Sequence, residues 1–354
     1  MRMTGKSPIL AAMLVAPLVL TGCGYGKTTG SNINPAPTSV NHTKSGDTAK
    51  SPTKESTNAT QTSAQLHQTE IYLIDKNGHV APQFLELPAT KTVAQQALNY
   101  MVKDGPVTDL LPNSFQAVLP PGTTSKLNLK SDGTLVADFS KEFLNYDPKY
   151  ETQMLQAITW TLTQFDNVKR VQLRVNGQDL TQMPATKTSV DPSGLTRADG
   201  INNDLGNVTD VTGSENTTVY YLSQTTSGKT YYVPVTERIN GSTDDLATVV
   251  NTVVNGPTSD STLMSPFGTD VSLVSDPQVK DGVATLNFNE NFYSNSKSKT
   301  VSDEAVNVLA LSLIGKDGIS KVSIEVNGNS KMTLDSGKTL TKPVSLPVVN
   351  KTGV

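Results

Sequence analysis

Apolar positions along this chain follow three regimes. Residues 8–20, PILAAMLVAPLVL, are apolar almost without a break, whereas residues 24–69 hold only Tyr25, Ile33, Val40 and Leu66 as sizeable apolar side chains. From residue 70 onward the pattern becomes periodic and switches between alternation and helical spacing, the signatures of half-buried strands and amphipathic helices. Glu70–Asp75 predicts a strand and Val80–Leu87 a second, joined as a hairpin across Lys76-Asn77-Gly78. Ala94, Ala97, Leu98 and Met101 then mark one helical stripe; Thr92 and Gln95 have capping-box spacing, and Gly105-Pro106 is the stop signal. A second hairpin pairs Lys126–Lys130 with Thr134–Phe139 across Asp132-Gly133, with Leu135, Ala137 and Phe139 on one face. Asp147-Pro148 opens a helix whose apolar face is Leu155, Ile158, Leu162 and Phe165. Val171, Leu173 and Val175 form a last strand, ended by Asn176-Gly177.

The same grammar then runs a second time. DGTLVADFS at 132–140 returns as DGVATLNFN at 281–289, and VKRVQLRVNG at 168–177 returns as ISKVSIEVNG at 319–328. Tyr72 in YLI is answered by Tyr221 in YLS, and Pro106 by Pro257. Leu246, Val249, Val250, Val253 and Val254 repeat the first helix, which Gly256 stops. Ser302, followed by Asp303 and Glu304, opens the second, with Val301 and Val306 at staple positions. A period near 150 residues is too long for a solenoid and reads as two copies of one β-β-α-β-β-α-β domain, at 70–184 and 216–349, with a linker at 185–215. Each copy is expected to be α+β: a small mixed or antiparallel sheet with two helices packed on one face.

The apolar run at 8–20 is too short to cross a bilayer, which takes about 20 apolar residues. With Arg2 and Lys6 before it, it has the form of a signal peptide, residues 1–22. Leu20-Thr21-Gly22-Cys23 then resembles the bacterial lipoprotein box, which implies cleavage between Gly22 and Cys23 and acylation of the Cys23 thiol. Two or three acyl chains, at about 0.8 kcal/mol per buried CH₂, hold a protein stably where one chain does not. The tract 23–69 buries too little apolar surface to offset its chain entropy and is expected to be a disordered tether, with a span on the order of 40 Å. His42 and His67 fall in it and read as solvated side chains. The expected location is therefore the cell membrane, lipid-anchored on its extracytoplasmic face.

Composition removes several function classes. Twenty-nine basic and 32 acidic residues leave a net charge of −3 with no basic face for nucleic acid. One cysteine excludes an internal disulfide framework and a thiolate metal cage. Among candidate catalytic groups, His79 sits at a turn beside Gly78, where a solvated role is favoured over a triad. Asp138 and Glu142 are the best carboxylate pair for acid/base chemistry or Ca²⁺, yet the repeat places Asn287 and Asn291 there, which favours cap and turn hydrogen bonding. Trp160, inside TWTLTQF, reads as packing rather than a ligand platform. No catalytic, metal or cofactor constellation is expected.

The ordered stretches YLIDKNG (72–78), GPV (105–107), LPNSFQAVLP (111–120), ADFSKEF (137–143), TWTLTQF (159–165), RADGIN (197–202) and YYVPVT (231–236) resemble the GerM family of sporulation and spore-germination lipoproteins. The resemblance implies two tandem GerMN domains related to ring-building modules. It also implies a non-catalytic scaffold role with the mother cell–forespore transport apparatus, protein partners in the sporulation envelope complex, and possible self-association. Cys23 is the one functional residue it carries over. The alternative is a lipoprotein that binds or modifies peptidoglycan.

Overall fold

The computed structural model describes residues 66–352, apart from 109, 207, 209–211 and 244. Gly22, Cys23, His42, the signal peptide and most of the tether lie outside the described residues. The first repeat opens with β1 (Leu66–Asp75) and β2 (Val80–Pro88), an antiparallel hairpin in which Ile71 faces Gln83 and Leu73 faces Ala81. The strand starts four residues before Glu70, so positions 66–69, assigned above to the tether, are ladder instead. His67 pairs with Leu87 and Thr69 with Leu85. Ile71, Tyr72, Leu73 and Ile74 are all buried, so this strand is covered on both faces.

α1 (Val93–Asn99) buries the expected Ala94, Ala97 and Leu98. It stops well short of Gly105, because the backbone of residues 101–103 is claimed from elsewhere. Val118 and Leu119 donate to the Met101 carbonyl, and Lys103 donates to Leu119. The capping box is not made: the Thr92 hydroxyl meets Thr90, and the Gln95 amide reaches Asn99 and Ser125. β3 (Phe115–Gln116) adds to β1. β4 (Ser125–Leu129) and β5 (Thr134–Phe139) form the second hairpin. After α2 (Glu151–Leu162), β6 (Arg170–Val175) returns parallel to β5, and β7 (Gln178–Asp179) closes that ladder. The parallel pair is what the helical crossover permits, so the sheet is mixed.

The second repeat follows suit: β8 (Ser214–Gln224), β9 (Thr230–Asn240), α3 (Leu246–Asn255), β10 (Gln278–Lys280) and β11 (Val283–Phe288). Then come β12 (Thr300–Val301), α4 (Asp303–Leu313), β13 (Lys321–Val326), β14 (Met332–Leu334) and β15 (Thr339–Leu340). β11 and β13 are again parallel. Asp245 and Ser302 cap the two helices through their side chains. Both copies stack an aromatic pair under the sheet, Phe139 on Phe143 and Phe288 on Phe292, each with centroids 4.5 Å apart.

Each helix anchors its hairpin by one buried hydroxyl. Thr161 accepts from the Tyr72 amide, and Ser312 accepts from that of Tyr220. In this packing Tyr220, not Tyr221, is the counterpart of Tyr72. Matching Tyr72 to Tyr221 would be a slip of one residue and would turn the strand over, since side chains alternate faces.

Candidate functional site

The two repeats meet through their first hairpins, with β2 against β9. Two asparagines clamp the meeting. Asn202, between the repeats, accepts from the Val80 amide at 2.8 Å and donates to the carbonyls of Val80 and Pro234, both at 2.7 Å. Asn350 accepts from the Tyr232 amide at 2.8 Å and donates to the carbonyls of Tyr232 and Pro82 at 2.8 and 2.9 Å. Both sit in the left-handed region, φ 47° and 55°, which asparagine tolerates better than most residues. Around them, residues 201–204 bond the Thr236 backbone and residues 350–352 bond the Phe84 backbone. The segment after each repeat is therefore a strap laid on the other repeat's hairpin. The exchange is reciprocal, as in an isologous dimer, but within one chain. Tyr231 adds a direct bond, donating at 2.7 Å to Asp75 in the first repeat, and its ring meets Phe115 edge-on at 4.9 Å.

This exchange leaves two clefts in corresponding places. The larger, about 480 Å³, lies between the β1–β2 turn with His79, the face of α2 carrying Gln153 and Gln156, the Asn202–Asp204 strap, and Tyr221 and Glu237 of the second hairpin. The loop 257–263, with Asp260, completes it. The smaller, about 320 Å³, is formed by the β8–β9 turn, the Asn350–Thr352 strap and the loop 110–115. The first cleft is lined by Asp204, Glu237 and Asp260 and, among the described residues, by no lysine or arginine. The second is lined by Lys229 and Lys351 and, among the described residues, by no carboxylate.

Glu237 is the anomalous group. It is 5% exposed, its Oε1 has no hydrogen-bond partner, and neither has the buried Tyr221 hydroxyl beside it. Burial pushes the Glu237 carboxyl up to about 7; the Tyr221 hydroxyl opposes this and the Asp204 charge reinforces it. The strap matching sets Val80 against Tyr232 and Pro82 against Pro234, so Glu237 occupies the place of Leu85 in the first repeat. Asp204 is held by Gly206 and Thr258. Across the cleft, His79 Nδ1 lies 3.5 Å from Asp75. Burial works to raise the Asp75 carboxyl, but bonds from His79 and Tyr231 leave it below its ordinary value.

The tandem fold has known parallels. A family model described as sporulation and spore germination matches residues 70–181 and 218–331. The spore germination protein GerM of Bacillus subtilis (strain 168) is 41% identical over 99% of this chain and 98% of its own length. This chain belongs to the GerM family. The solved tandem GerMN domains of the Bacillus subtilis sporulation protein GerM superimpose with a TM-score of 0.75 at 43% identity, covering 82% of this chain and all of that one.

The residues singled out from this GerM-family sequence have structural partners. Asp138 accepts from the Gly177 amide at 2.9 Å, and Asn287 accepts from Gly328 at the same distance, so this position secures the turn after the last strand in both repeats. Glu142 is held below its ordinary value by the Ser140 hydroxyl, while Asn291 donates to the Asp270 carbonyl. Trp160 is buried; its indole donates to Gly200, Arg197 stacks over it at 4.4 Å, and Tyr72 lies 5.6 Å away. His67 is drawn into β1, and partial burial lowers its pKa. Among the described residues no cluster of His, Cys, Asp and Glu is arranged to hold a metal, and no helix is long and apolar enough to cross a membrane. Sequence pattern missed Glu237, Tyr221, Asp204 and both strap asparagines. The one available signal was a glutamate aligned with leucine, and it requires the hairpin register to be known.

Proposed function

We propose that this chain is a membrane-anchored, non-catalytic scaffold of sporulation and germination, whose two repeats act as one rigid body that docks protein partners of the sporulation envelope complex. The observation that carries the reading is the reciprocal strapping. Six side-chain bonds from Asn202 and Asn350 tie one hairpin to the other and to the straps. A pair fixed in this way presents both outer faces in a constant relation, which suits an assembly component that must hold partners at a set spacing. The lipoprotein box at Leu20–Cys23 supports anchoring through lipid on Cys23, at the extracytoplasmic face of the mother-cell membrane. Family membership supports the sporulation role.

Site-specific crosslinking in sporulating cells tests the proposal. Discrete protein adducts are expected from the outer faces, diminished when Asn202 and Asn350 are both changed to alanine. No discrete adduct from any position, or cleavage of muropeptides by the purified protein, overturns it. Cys23→Ala is expected to release the anchor, and unchanged processing and tight membrane retention would remove that part of the reading.

A further inference from the structure

The larger cleft combines a buried carboxylate, whose Oε1 has no partner within hydrogen-bond distance and only the Tyr221 hydroxyl beside it, with an acidic lining in a place where the fold itself demands neither. Leu85 shows that the Glu237 position accepts an apolar side chain, and Thr352 shows the same independence for Asp204. Burying an ionised carboxylate with an unpartnered oxygen costs several kcal/mol unless a proton or a cation neutralises it. Tyr221, whose hydroxyl is also partner-free, supplies a polar wall against the same space. Tyr221 from β8 and Asp204 from the strap act on Glu237 directly, and the rest of the cleft is lined by Asp260 from the loop after α3, His79 from the β1–β2 turn, and Gln153 and Gln156 from α2. Among the described residues none of these elements places a lysine or arginine in the lining; Lys76, in the β1–β2 turn, is not part of it. Gln153 already donates to the Gly78 carbonyl, and the Gln156 oxygen accepts from the Asn202 amide, which leaves the Gln156 NH₂ as a neutral donor in the lining. The missing component is a cationic hydrogen-bond donor.

We propose that the cleft between α2 and the second hairpin binds a primary ammonium group, with Glu237 and Asp204 as its carboxylate acceptors. The group is carried either by a free small amine or by a lysine side chain. The volume, about 480 Å³, admits the ammonium with its alkyl stem and some flanking structure. An ammonium has three donors and no acceptor, which matches a lining of carboxylates. The counterpart cleft, bearing Lys229 and Lys351, repels the same ligand and serves as an internal control.

Thermal unfolding of the full-length protein in detergent, titrated with n-pentylamine and separately with Nα-acetyl-lysine amide, tests this. At about pH 8 and roughly tenfold over Kd, a saturable rise in Tm of about 2–4 °C is expected from at least one probe. The rise should vanish at about pH 5.5, in Glu237→Gln at all pH values, and with the neutral isostere 1-pentanol. It should shrink in Asp204→Asn and keep its pH profile in His79→Gln. Saturation by pentylamine alone assigns the group to a free amine, and saturation by the lysine amide alone to a polypeptide side chain. No saturable rise from either probe overturns the proposal, as does a rise that survives Glu237→Gln, is matched by 1-pentanol, or loses its pH dependence in His79→Gln.

Discussion

The two clefts between the repeats share a backbone frame and differ in nearly every side chain that carries charge. Turn, strap and loop recur in the same relation, yet one site gathers Asp204, Glu237 and Asp260 and the other Lys229 and Lys351. The shared part is what hydrogen bonding requires. Each strap must satisfy the exposed edge of a hairpin, and an asparagine with positive φ does this with three side-chain bonds. The differing part is free to diverge because the frame does not depend on it. Duplication here has preserved the interface and released the cavities.

The comparison breaks most severely at the straps. Asn202→Ala and Asn350→Ala each remove three bonds and place a Cβ-only residue in the left-handed region. A loss of about 2–4 kcal/mol apiece is expected in urea denaturation. The double variant should unfold in two transitions rather than one, since the repeats no longer report on each other. Glycine at either position should recover only the backbone part of the loss.

Glu237 gives the next largest effect, with the opposite sign. Its folded value lies above its ordinary 4.5, so its contribution to stability is fully present below about 4.5 and is lost as the pH climbs through about 7. Glu237→Gln should therefore stabilise at about pH 8, by about 1–2 kcal/mol once solvent at the cleft mouth is allowed for, and the gain should fade toward about pH 4.5. Chemical denaturation at a series of pH values measures it. Glu237→Leu, which copies the first repeat, should share the pH profile.

A smaller test concerns the bond between repeats that the straps do not make. Tyr231→Phe deletes the hydroxyl that donates to Asp75, for an expected loss of about 1 kcal/mol at neutral pH. Asp75 is lowered, so its contribution is present above its ordinary value of 3.8 and is lost as pH falls through the folded value; the Tyr231→Phe deficit should narrow in that acid range. Smallest of all is Asp138→Asn. Asn287 already makes the equivalent bond in the other repeat, and a change within about 0.5 kcal/mol is expected in the same denaturation experiment.

Local pattern carried the reading of each repeat a long way. The alternation of Leu135, Ala137 and Phe139, the stripe of Val249, Val250, Val253 and Val254, and the turn residues Asp132-Gly133 and Asn327-Gly328 all answer to neighbours close in sequence. Their positions in the fold follow from that. The misread places are those where a distant segment intervenes. α1 ends early because Val118 and Leu119 take the Met101 carbonyl. β1 begins early because residues 85–88 offer it a ladder that Leu66–Thr69 alone does not advertise. The straps lie in polar coil without a period, and Asn202 meets Val80 across 122 positions. The acidic cleft was invisible for the same reason: its walls come from six separate segments, and none is unusual by itself.

Asn350 closes on the Pro82 carbonyl across 268 positions of sequence. For a chain made from its beginning, that separation is a delay. At synthesis rates of about 5–20 residues per second, β2 stands with a bare edge for on the order of tens of seconds before its covering segment exists. Throughout that interval a foreign strand could pair where Phe84 later bonds residues 350 and 352. Maturation of the first repeat is thus timed by completion of the second, and any factor that shields nascent strand edges should matter most during that wait.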